Sequence, residues 1–142
     1  MARYWIAVAS KEHVQRGIDE CIAQVCHGKQ NPLKRMKARD WLIYYSPTEL
    51  FGQKIPCRKF TAIGQVADEQ VYQFKMNDDF IPWRRKINFL KAYEVAIEPL
   101  IDKLSFIKNK RSWGMVFRYG LIEIPVSDFK LIASHMGILV DE

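Results

Sequence analysis

The sequence predicts an α+β fold in which a mixed β-sheet curls into a small barrel. Three observations favour this class: about six short apolar segments with strand character, about three or four short helical patterns, and no regular alternation between the two. The 142 residues match the size of one domain, so we expect a single domain over 1–142. Since 49% of the residues are hydrophobic, intrinsic disorder is excluded as the main state.

The N-terminal segment predicts a strand followed by a helix. Tyr4–Ala9 is apolar but too short for a signal peptide, since Lys11 and Glu12 follow at once. Ser10 is a typical helix-capping residue. Apolar residues then recur at helical spacing, which predicts one buried stripe ending near Gly28. That stripe consists of Val14, Ile18, Cys21 or Ile22, and Val25.

Four further strands are predicted in the middle of the chain, after a short basic turn that Asn31–Leu33 opens. Each strand is short, rich in apolar, aromatic or β-branched residues, and bounded by turn residues. They are Trp41–Tyr45, Phe60–Val66, Val71–Phe74 and Trp83–Phe89. In the last of these, alternation predicts that Arg84 and Lys86 face solvent, whereas Arg85 breaks the alternation.

Two helices and one or two strands are predicted in the C-terminal third. Pro99 suits the first turn of a helix that extends through Leu104. Met115–Ile124 has strand character. Ser127 is expected to cap a final helix that Gly137 ends.

Several classes of protein are excluded or disfavoured by the patterns that the sequence lacks. No apolar stretch approaches the roughly 18 residues of a membrane-spanning helix. Glycine-rich phosphate loops, the dinucleotide fingerprint and the nucleophile elbow of hydrolases are missing, so no cofactor is expected. The three cysteines cannot all pair, which favours a reducing cytoplasm.

Few groups with catalytic or metal-binding chemistry are present. Cys26 and His27 are neighbours in sequence, but a catalytic cysteine normally meets its histidine through the fold. No Cys and His spacing typical of zinc occurs. Asp78 and Asp79 would point in opposite directions on an extended chain, which disfavours a shared acid–base pair. We therefore expect no metal site and no enzymatic activity.

The positive charge is clustered beside tryptophans. Lys and Arg number 22 against 16 Asp and Glu, a net charge of +6. Cations for phosphates beside aromatic faces for bases are typical of nucleic-acid binding. The alternative interpretation is that the tryptophans pack in the core and the basic runs are solvated faces. The three clusters are Lys34, Arg35, Lys37 and Arg39 before Trp41; Arg84, Arg85 and Lys86 after Trp83; and Lys108, Lys110 and Arg111 before Trp113.

Several short motifs, spread in one order over nearly the whole chain, are more specific than any of these patterns. They are Tyr4-Trp5-Ile6 with Ser10 and His13-Val14; Gln24 with His27-Gly28-Lys29, Pro32-Leu33 and Met36; Tyr44-Tyr45-Ser46-Pro47; Phe60-Thr61-Ala62-Ile63-Gly64; Phe80-Ile81-Pro82-Trp83-Arg84-Arg85; and Trp113-Gly114 with Phe117-Arg118 and Asp128-Phe129. In these residues the sequence resembles the EVE-domain family.

The resemblance implies a PUA-like fold, related to the YTH and ASCH domains, with about five or six strands in a twisted barrel and three or four flanking helices. It also implies a nucleic-acid-binding module. YTH relatives hold a methylated adenine of RNA in an aromatic cage, and some EVE domains read a modified cytosine in DNA by taking the base out of the helix. The expected partner is DNA or RNA with a methylated cytosine or adenine, and any effector is expected to be a separate protein.

The resemblance further implies a base pocket with a basic rim. The base-pocket candidates are Trp5, Ser10, Gln24, His27, Gly28, Lys29, Tyr44, Tyr45, Ser46 and Trp83. The phosphate-binding candidates are Lys29, Lys34, Arg35, Arg84, Arg85 and Arg118. Rings would stack a base, polar groups would bond its edge, and cations would contact phosphates. Trp83 stands where many members have Phe or Tyr, which can alter the width of the pocket.

Structural roles are open for several of these candidates. Trp5 and Tyr44 lie in apolar strands that suit a core, Ser10 can serve only as a helix cap, and Gly28 can serve only a backbone geometry. Arg118 can pair with an internal carboxylate.

Two other functions stay open beside the reading of a modified base. One is an RNA-binding accessory protein of the PUA type. The other is a small hydrolase or nuclease acting on modified nucleotides, with His27 and either Cys26 or a carboxylate as its chemistry. The sequence contains no feature that selects DNA or RNA, or that fixes the oligomeric state.

Overall fold

The computed structural model describes residues 2–140, which form one curled β-sheet with helices on both faces. The predicted α+β class with a mixed, curled sheet is confirmed. Within the described residues the strands are β1 Tyr4–Val8, β2 Ile22–Ala23, β3 Trp41–Thr48, β4 Pro56–Val66, β5 Tyr72–Gln73, β6 Trp83–Leu90, β7 Val95–Ala96 and β8 Leu121–Glu123.

The sheet is mixed because one of its central strand pairs is parallel. The strand order is β2-β6-β4-β3-β1-β8, with β5 beside β6 and β7 beside β4. β1 runs parallel to β3, so Ala7 lies opposite Tyr44, whereas the other strand pairs are antiparallel. A parallel pair requires a long crossover connection, which the segment between β1 and β3 supplies. The carboxyl ends of β1 and β3 therefore lie side by side.

Helices connect these strands and cover both faces of the sheet. Ser10 caps the first helix as predicted, since its Oγ accepts a hydrogen bond of 3.3 Å from the backbone N–H of His13. In the described part of the chain, no helix is long and apolar enough to cross a membrane. The α-helices are α1 Lys11–Glu20, α2 Gln30–Lys34 and α3 Val126–His135, and the 3₁₀ helices are Cys26–Gly28, Glu98–Lys103 and Trp113–Tyr119.

Alternate residues of the central strands build two hydrophobic clusters on opposite faces of the sheet. The first cluster packs the sheet against α3 and the 3₁₀ helices that precede it, and the second packs it against α1 and α2. From the strands, the first cluster takes Tyr4, Ile6, Ile43, Tyr45, Phe60 and Ile63. The second takes Trp5, Ala7, Leu42, Tyr44, Ala62, Val66 and Ile87.

The predicted end of the first helix is wrong. Helix α1 ends at Glu20 rather than near Gly28, because Cys21 adopts a left-handed φ of 58°. A left-handed residue after a helix turns the chain out of the helical path. Ile22–Ala23 then forms β2, which pairs with β6.

The prediction of strands over Met115–Ile124 is largely wrong as well. Trp113–Tyr119 is a 3₁₀ helix, and only Leu121–Glu123 forms a strand. Residues three apart share a face in a 3₁₀ helix, and Trp113 and Val116 both pack on the first cluster. Pro99 lies in a 3₁₀ helix rather than at the start of an α-helix, and Ser127 lies inside α3, which begins at Val126.

Candidate nucleic-acid interface

A connected group of polar side chains lies beside the carboxyl ends of β1 and β3. Nε2 of His13 is 2.9 Å from the backbone oxygen of Gln24. The side-chain Oε1 of Gln24 in turn accepts a hydrogen bond of 3.1 Å from Nε of Arg84. Since Ser10 bonds the backbone of His13, these contacts link Ser10 through His13 to Gln24 and Arg84.

Tyr44 adds a buried hydroxyl to this region. Its OH forms no hydrogen bond of good geometry among residues 2–140, although buried hydroxyls are normally bonded. Burial raises the pKa of Tyr44 far above its usual value, and a weak hydrogen-bonding contact with the backbone of Gln24 opposes this rise. The ring stacks on Phe89 with 6.4 Å between centroids, which holds its orientation.

Aromatic rings at the surface flank the loop that carries His27 and Gly28. The ring of His27 meets Phe51 edge-on, with 6.2 Å between centroids, and Phe51 is 72% exposed. Gly28 has a φ of +80°, and a Cβ there would lie 2.5 Å from Cβ of Pro82 and 3.3 Å from Phe80. The loop is thus pressed against the segment that leads into β6, and a glycine is required for this contact.

Two further pocket candidates lie in the interior. Ser46 is fully buried, and its Oγ is 2.8 Å from Oγ1 of Thr61, so the two hydroxyls satisfy each other. Trp83 is half-buried against the second cluster. Both residues therefore contribute packing in the free protein.

Trp5 is a core residue, as its position in an apolar strand allows. It is fully buried, and its Nε1 donates a hydrogen bond of 2.9 Å to Oδ2 of Asp40. The guanidinium groups of Arg3 and Arg35 lie 4.8 and 5.0 Å from the centre of its ring. No face of this indole is left for a base, so the assignment of Trp5 to a base pocket is wrong.

Tyr45 does not share a pocket with Tyr44. Neighbouring residues of a strand point to opposite faces, and Tyr45 belongs to the first cluster. Its ring stacks on Phe117 with 4.2 Å between centroids and an angle of 24° between planes. The prediction of one pocket that holds both tyrosines is therefore wrong.

The prediction that Arg84 faces solvent is wrong, and neither Arg84 nor Arg85 is free to bind phosphate. Arg84 is 4% exposed and packs between Gln24, the ring of Phe74 at 4.2 Å, and Glu20, whose Oε1 is 3.5 Å away. Glu20 of α1, Gln24 after β2 and Phe74 after β5 cover Arg84, and the alternation of residues along β6 does not reveal this cover.

Arg85 is 1% exposed and supports the backbone from inside. Its guanidinium donates hydrogen bonds to the carbonyl oxygens of Leu33, Met36 and Asp68. Burial lowers the pKa of Arg85, against the opposing effect of the carboxylates of Glu69, Asp68 and Asp40. These contacts occupy both Nη atoms, and Nε is buried without a hydrogen-bond partner among residues 2–140, so a phosphate outside cannot reach this guanidinium.

The remaining phosphate candidates are exposed and lie in different places. Lys29 precedes α2, Lys34 is its last residue, and Arg35 follows it. Arg35 also donates a hydrogen bond of 3.3 Å to the carbonyl oxygen of Leu121. Arg118 lies beyond the other face of the sheet, in a cleft that it shares with Trp113.

Phe51 and Phe80 are the surface residues that sequence reasoning did not select. Phe80 belongs to the motif before β6, and Phe51 is an isolated aromatic residue in a loop that otherwise lacks strand character. Phe51 stands next to a glycine and belongs to no apolar pattern of strand or helix spacing. Core residues usually belong to such a pattern, so its absence is the sequence signal for an exposed ring.

The described residues give little support to enzymatic chemistry. No group of three or more His, Cys, Asp or Glu side chains within 2–140 is arranged to hold a metal ion. Burial raises the pKa of the Cys26 thiol, so the nucleophilic thiolate is disfavoured. His27, its sequence neighbour, meets Phe51 instead.

The chain is similar to known proteins along nearly its whole length. The family model for the EVE domain matches residues 3–135. A UPF0310 protein of Bacillus licheniformis is 54% identical over 127 residues, which cover 89% of this chain and 86% of the relative. A UPF0310 protein of Mesorhizobium japonicum is 48% identical over 139 residues, which cover 96% and 93%.

Solved structures share the fold at low identity. The crystal structure of a protein from Agrobacterium tumefaciens aligns with a TM-score of 0.59 at 13% identity, covering 99% of this chain and 97% of that one. An NMR structure from Rhodopseudomonas palustris aligns with a TM-score of 0.57 at 15% identity and the same coverage. Since the family model and these relatives span the sheet and its flanking helices, the chain belongs to the EVE-domain family.

Proposed function

We propose that this protein is a nucleic-acid-binding module that accepts one modified base, taken out of its stack, beside the loop of His27 and Gly28. The observation that carries the proposal is the combination of exposed rings at Phe51 and Phe80 with the buried hydroxyl of Tyr44, which lies at the backbone of Gln24 but forms no hydrogen bond of good geometry among residues 2–140. The rings offer stacking surface, and the polar groups offer hydrogen bonds to the edge of a base.

Different contacts are expected to supply the overall affinity for a strand and the preference for a modified base. Stacking a base on an aromatic ring is worth about 1–3 kcal/mol whatever the modification. A methyl group in an apolar pocket adds about 1–3 kcal/mol, or roughly 10- to 200-fold discrimination. Because taking a base out of a duplex costs a few kcal/mol, single-stranded or distorted substrates bind more easily. The modification therefore supplies preference, while stacking and phosphate contacts supply most of the affinity.

The test is a binding titration with matched oligonucleotides. DNA and RNA strands with and without 5-methylcytosine, 5-hydroxymethylcytosine or N6-methyladenine are titrated against the wild-type protein at low salt. Phe51→Ala is compared with Tyr93→Ala, which removes a ring of similar exposure, 75% against 72%, elsewhere on the surface. We expect Phe51→Ala to lose about fivefold or more in affinity for the preferred strand, and Tyr93→Ala to bind as the wild type does.

Two results would contradict this function. If the wild type binds none of these strands, the protein is not a reader of them. If products accumulate over multiple turnovers when the same strands are incubated with the protein, with or without divalent metal, the protein is an enzyme instead. Equal loss in the two ring variants would move the base site away from Phe51.

A further inference from the structure

A second cleft lies on the face of the sheet opposite Tyr44, at the same end of β1 and β3. Its volume is about 780 Å³, and it is bordered by Val8 and Pro47 at the ends of these strands. Ligand sites commonly measure about 300–1,000 Å³, so the cleft has room for a nucleotide or a short piece of a strand. The site proposed above uses none of its residues.

The cleft is lined by four cations, of which Arg58 is paired with an acid among the described residues. Lys54, Arg58, Arg111 and Arg118 line it, and none of the described side chains that line it is acidic. Within residues 2–140, the side chains of Arg111 and Arg118 form no ion pair, while the guanidinium of Arg58 is 3.9 Å from Glu98. Uncompensated cations along a concave surface attract a polyanion.

Three aromatic side chains line the cleft beside these cations. Tyr45 stacks on Phe117 and meets Trp113 edge-on, with 6.4 Å between centroids and an angle of 82° between planes. The indole of Trp113 is half-buried, so its orientation is held from behind while part of it borders the cleft. Cations beside a fixed aromatic face are the combination that binds single-stranded nucleic acid without sequence preference.

The loop between β3 and β4 connects this cleft to the proposed base site. Phe51 contacts His27 on one side, whereas Gln53 and Lys54, two and three residues later, line the cleft on the other. In β3, Tyr44 faces the base site and Tyr45 faces the cleft. The two sites are therefore neighbours around one end of the central strands, joined by this loop.

We infer that this cleft binds the strand next to the extracted base, with its phosphates on Arg111 and Arg118 and one flanking base against Trp113. The inference rests on the proposed function, since it requires a nucleic-acid partner. Contacts of this kind carry no information about the modification. The cleft therefore raises the affinity for all strands and leaves the preference to the base site.

The salt dependence of binding tests the inference. We compare the double variant Arg111→Gln/Arg118→Gln with Lys103→Gln/Lys130→Gln, which removes the same charge from exposed positions outside the cleft. Between about 50 and 200 mM salt, the arginine variant should lower the slope of log affinity against log salt by about 1.4 for a single strand. The lysine variant should leave the slope nearly unchanged, and the ratio of affinities for modified and unmodified strands should stay the same in both.

Photocrosslinking supplies an independent readout of the same contact. A strand with 5-iodouracil next to the modified base should crosslink to Trp113 in the wild type, as located by peptide mass spectrometry. Equal slopes in the two double variants, or a crosslink only to other peptides, would overturn the inference while leaving the base site intact. The loss of affinity expected for Phe51→Ala addresses the base site alone, so the failures of the two proposals are distinguishable. Equally tight binding of a free mononucleotide and of a strand would assign the cleft to nucleotides and also overturn the inference.

Discussion

Arg85 has a structural role that its position in a basic run conceals. Arg85 is 1% exposed, and its guanidinium bonds three backbone carbonyls. Arg85→Met leaves these carbonyls without a donor, so we expect the free energy of unfolding to fall by about 3 kcal/mol or more. Urea denaturation measures the change.

The neighbouring strand residue is the control for this substitution. Lys86 is exposed, and Lys86→Met should alter the free energy of unfolding by no more than about 0.5 kcal/mol. Folded Arg85→Met should bind oligonucleotides as the wild type does. A variant that is fully stable but binds weakly would instead make Arg85 a phosphate ligand.

His13 makes stability depend on pH in the mildly acidic range. Burial lowers its pKa below the ordinary value of 6.5; the carbonyl of Gln24 opposes this effect, while Arg16 and Arg84 add to it. As the pH falls through about 6.5, the unfolded chain binds a proton at His13 that the folded chain does not bind. The free energy of unfolding should therefore decrease from about pH 7 to about pH 5, until the pKa of the folded state is reached.

Substitution of the histidine separates this effect from the titration of carboxylates at lower pH. His13→Gln should show a smaller decrease in stability over the same pH range, whereas His135→Gln, at an exposed position of α3, should keep the wild-type decrease. An unchanged decrease in His13→Gln would assign the pH dependence to other groups.

At the scale of elements, Gly28 lets its loop lie against Pro82 and Phe80, beside the proposed base site. Gly28 and Gly52 share a left-handed φ, +80° and +76°, but only Gly28 faces a close neighbour, since nothing lies within 4 Å of a Cβ at Gly52. Gly52→Ala should cost about 1 kcal/mol from backbone strain alone. Gly28→Ala should cost about 1–3 kcal/mol more, because the added methyl group displaces Pro82.

The same pair of variants separates stability from recognition. Gly28→Ala should lose preference for the modified strand at temperatures where it is fully folded, as measured by titration, while Gly52→Ala retains the preference. Equal behaviour of the two variants would mean that the contact with Pro82 is not needed for the site.

Element types followed from the sequence where a segment had a clear period or a cap. Ser10 began α1, and the aromatic and β-branched run at Trp41 gave β3. Two predictions are wrong. Trp113–Tyr119 has strand character in sequence but forms a 3₁₀ helix, and Cys21 turns the chain after α1 although it is not a glycine. Both errors come from short segments in which tertiary packing decides between conformations of similar local energy.

The candidate site was harder to predict than the fold, for a related reason. The order of motifs cannot tell which face of β3 each tyrosine joins, or that Glu20, Gln24 and Phe74 cover Arg84. Burial of a charged side chain depends on partners distant in sequence. A basic run in the sequence therefore does not show which of its cations are exposed at the surface.

At the scale of the whole molecule, two hydrophobic clusters share the same three strands. β1, β3 and β4 each give alternate residues to the two faces, so neither cluster can form completely without the strands of the other. The proposed base site and the second cleft lie on these two faces. Binding at both would therefore act on one connected sheet.

This shared sheet predicts that the protein unfolds as one cooperative unit, in line with the single domain expected over 1–142. Trp41 and Trp113 pack on the first cluster, whereas Trp5 and Trp83 belong to the second. With 5-fluorotryptophan incorporated, the fluorine resonances of the folded state should be lost at one urea concentration, because opening either face exposes strands that support the other. Single Trp→Phe variants assign the resonances. Loss of the Trp5 and Trp83 signals at a lower urea concentration than those of Trp41 and Trp113 would divide the chain into two folding units, with the base site on the less stable one.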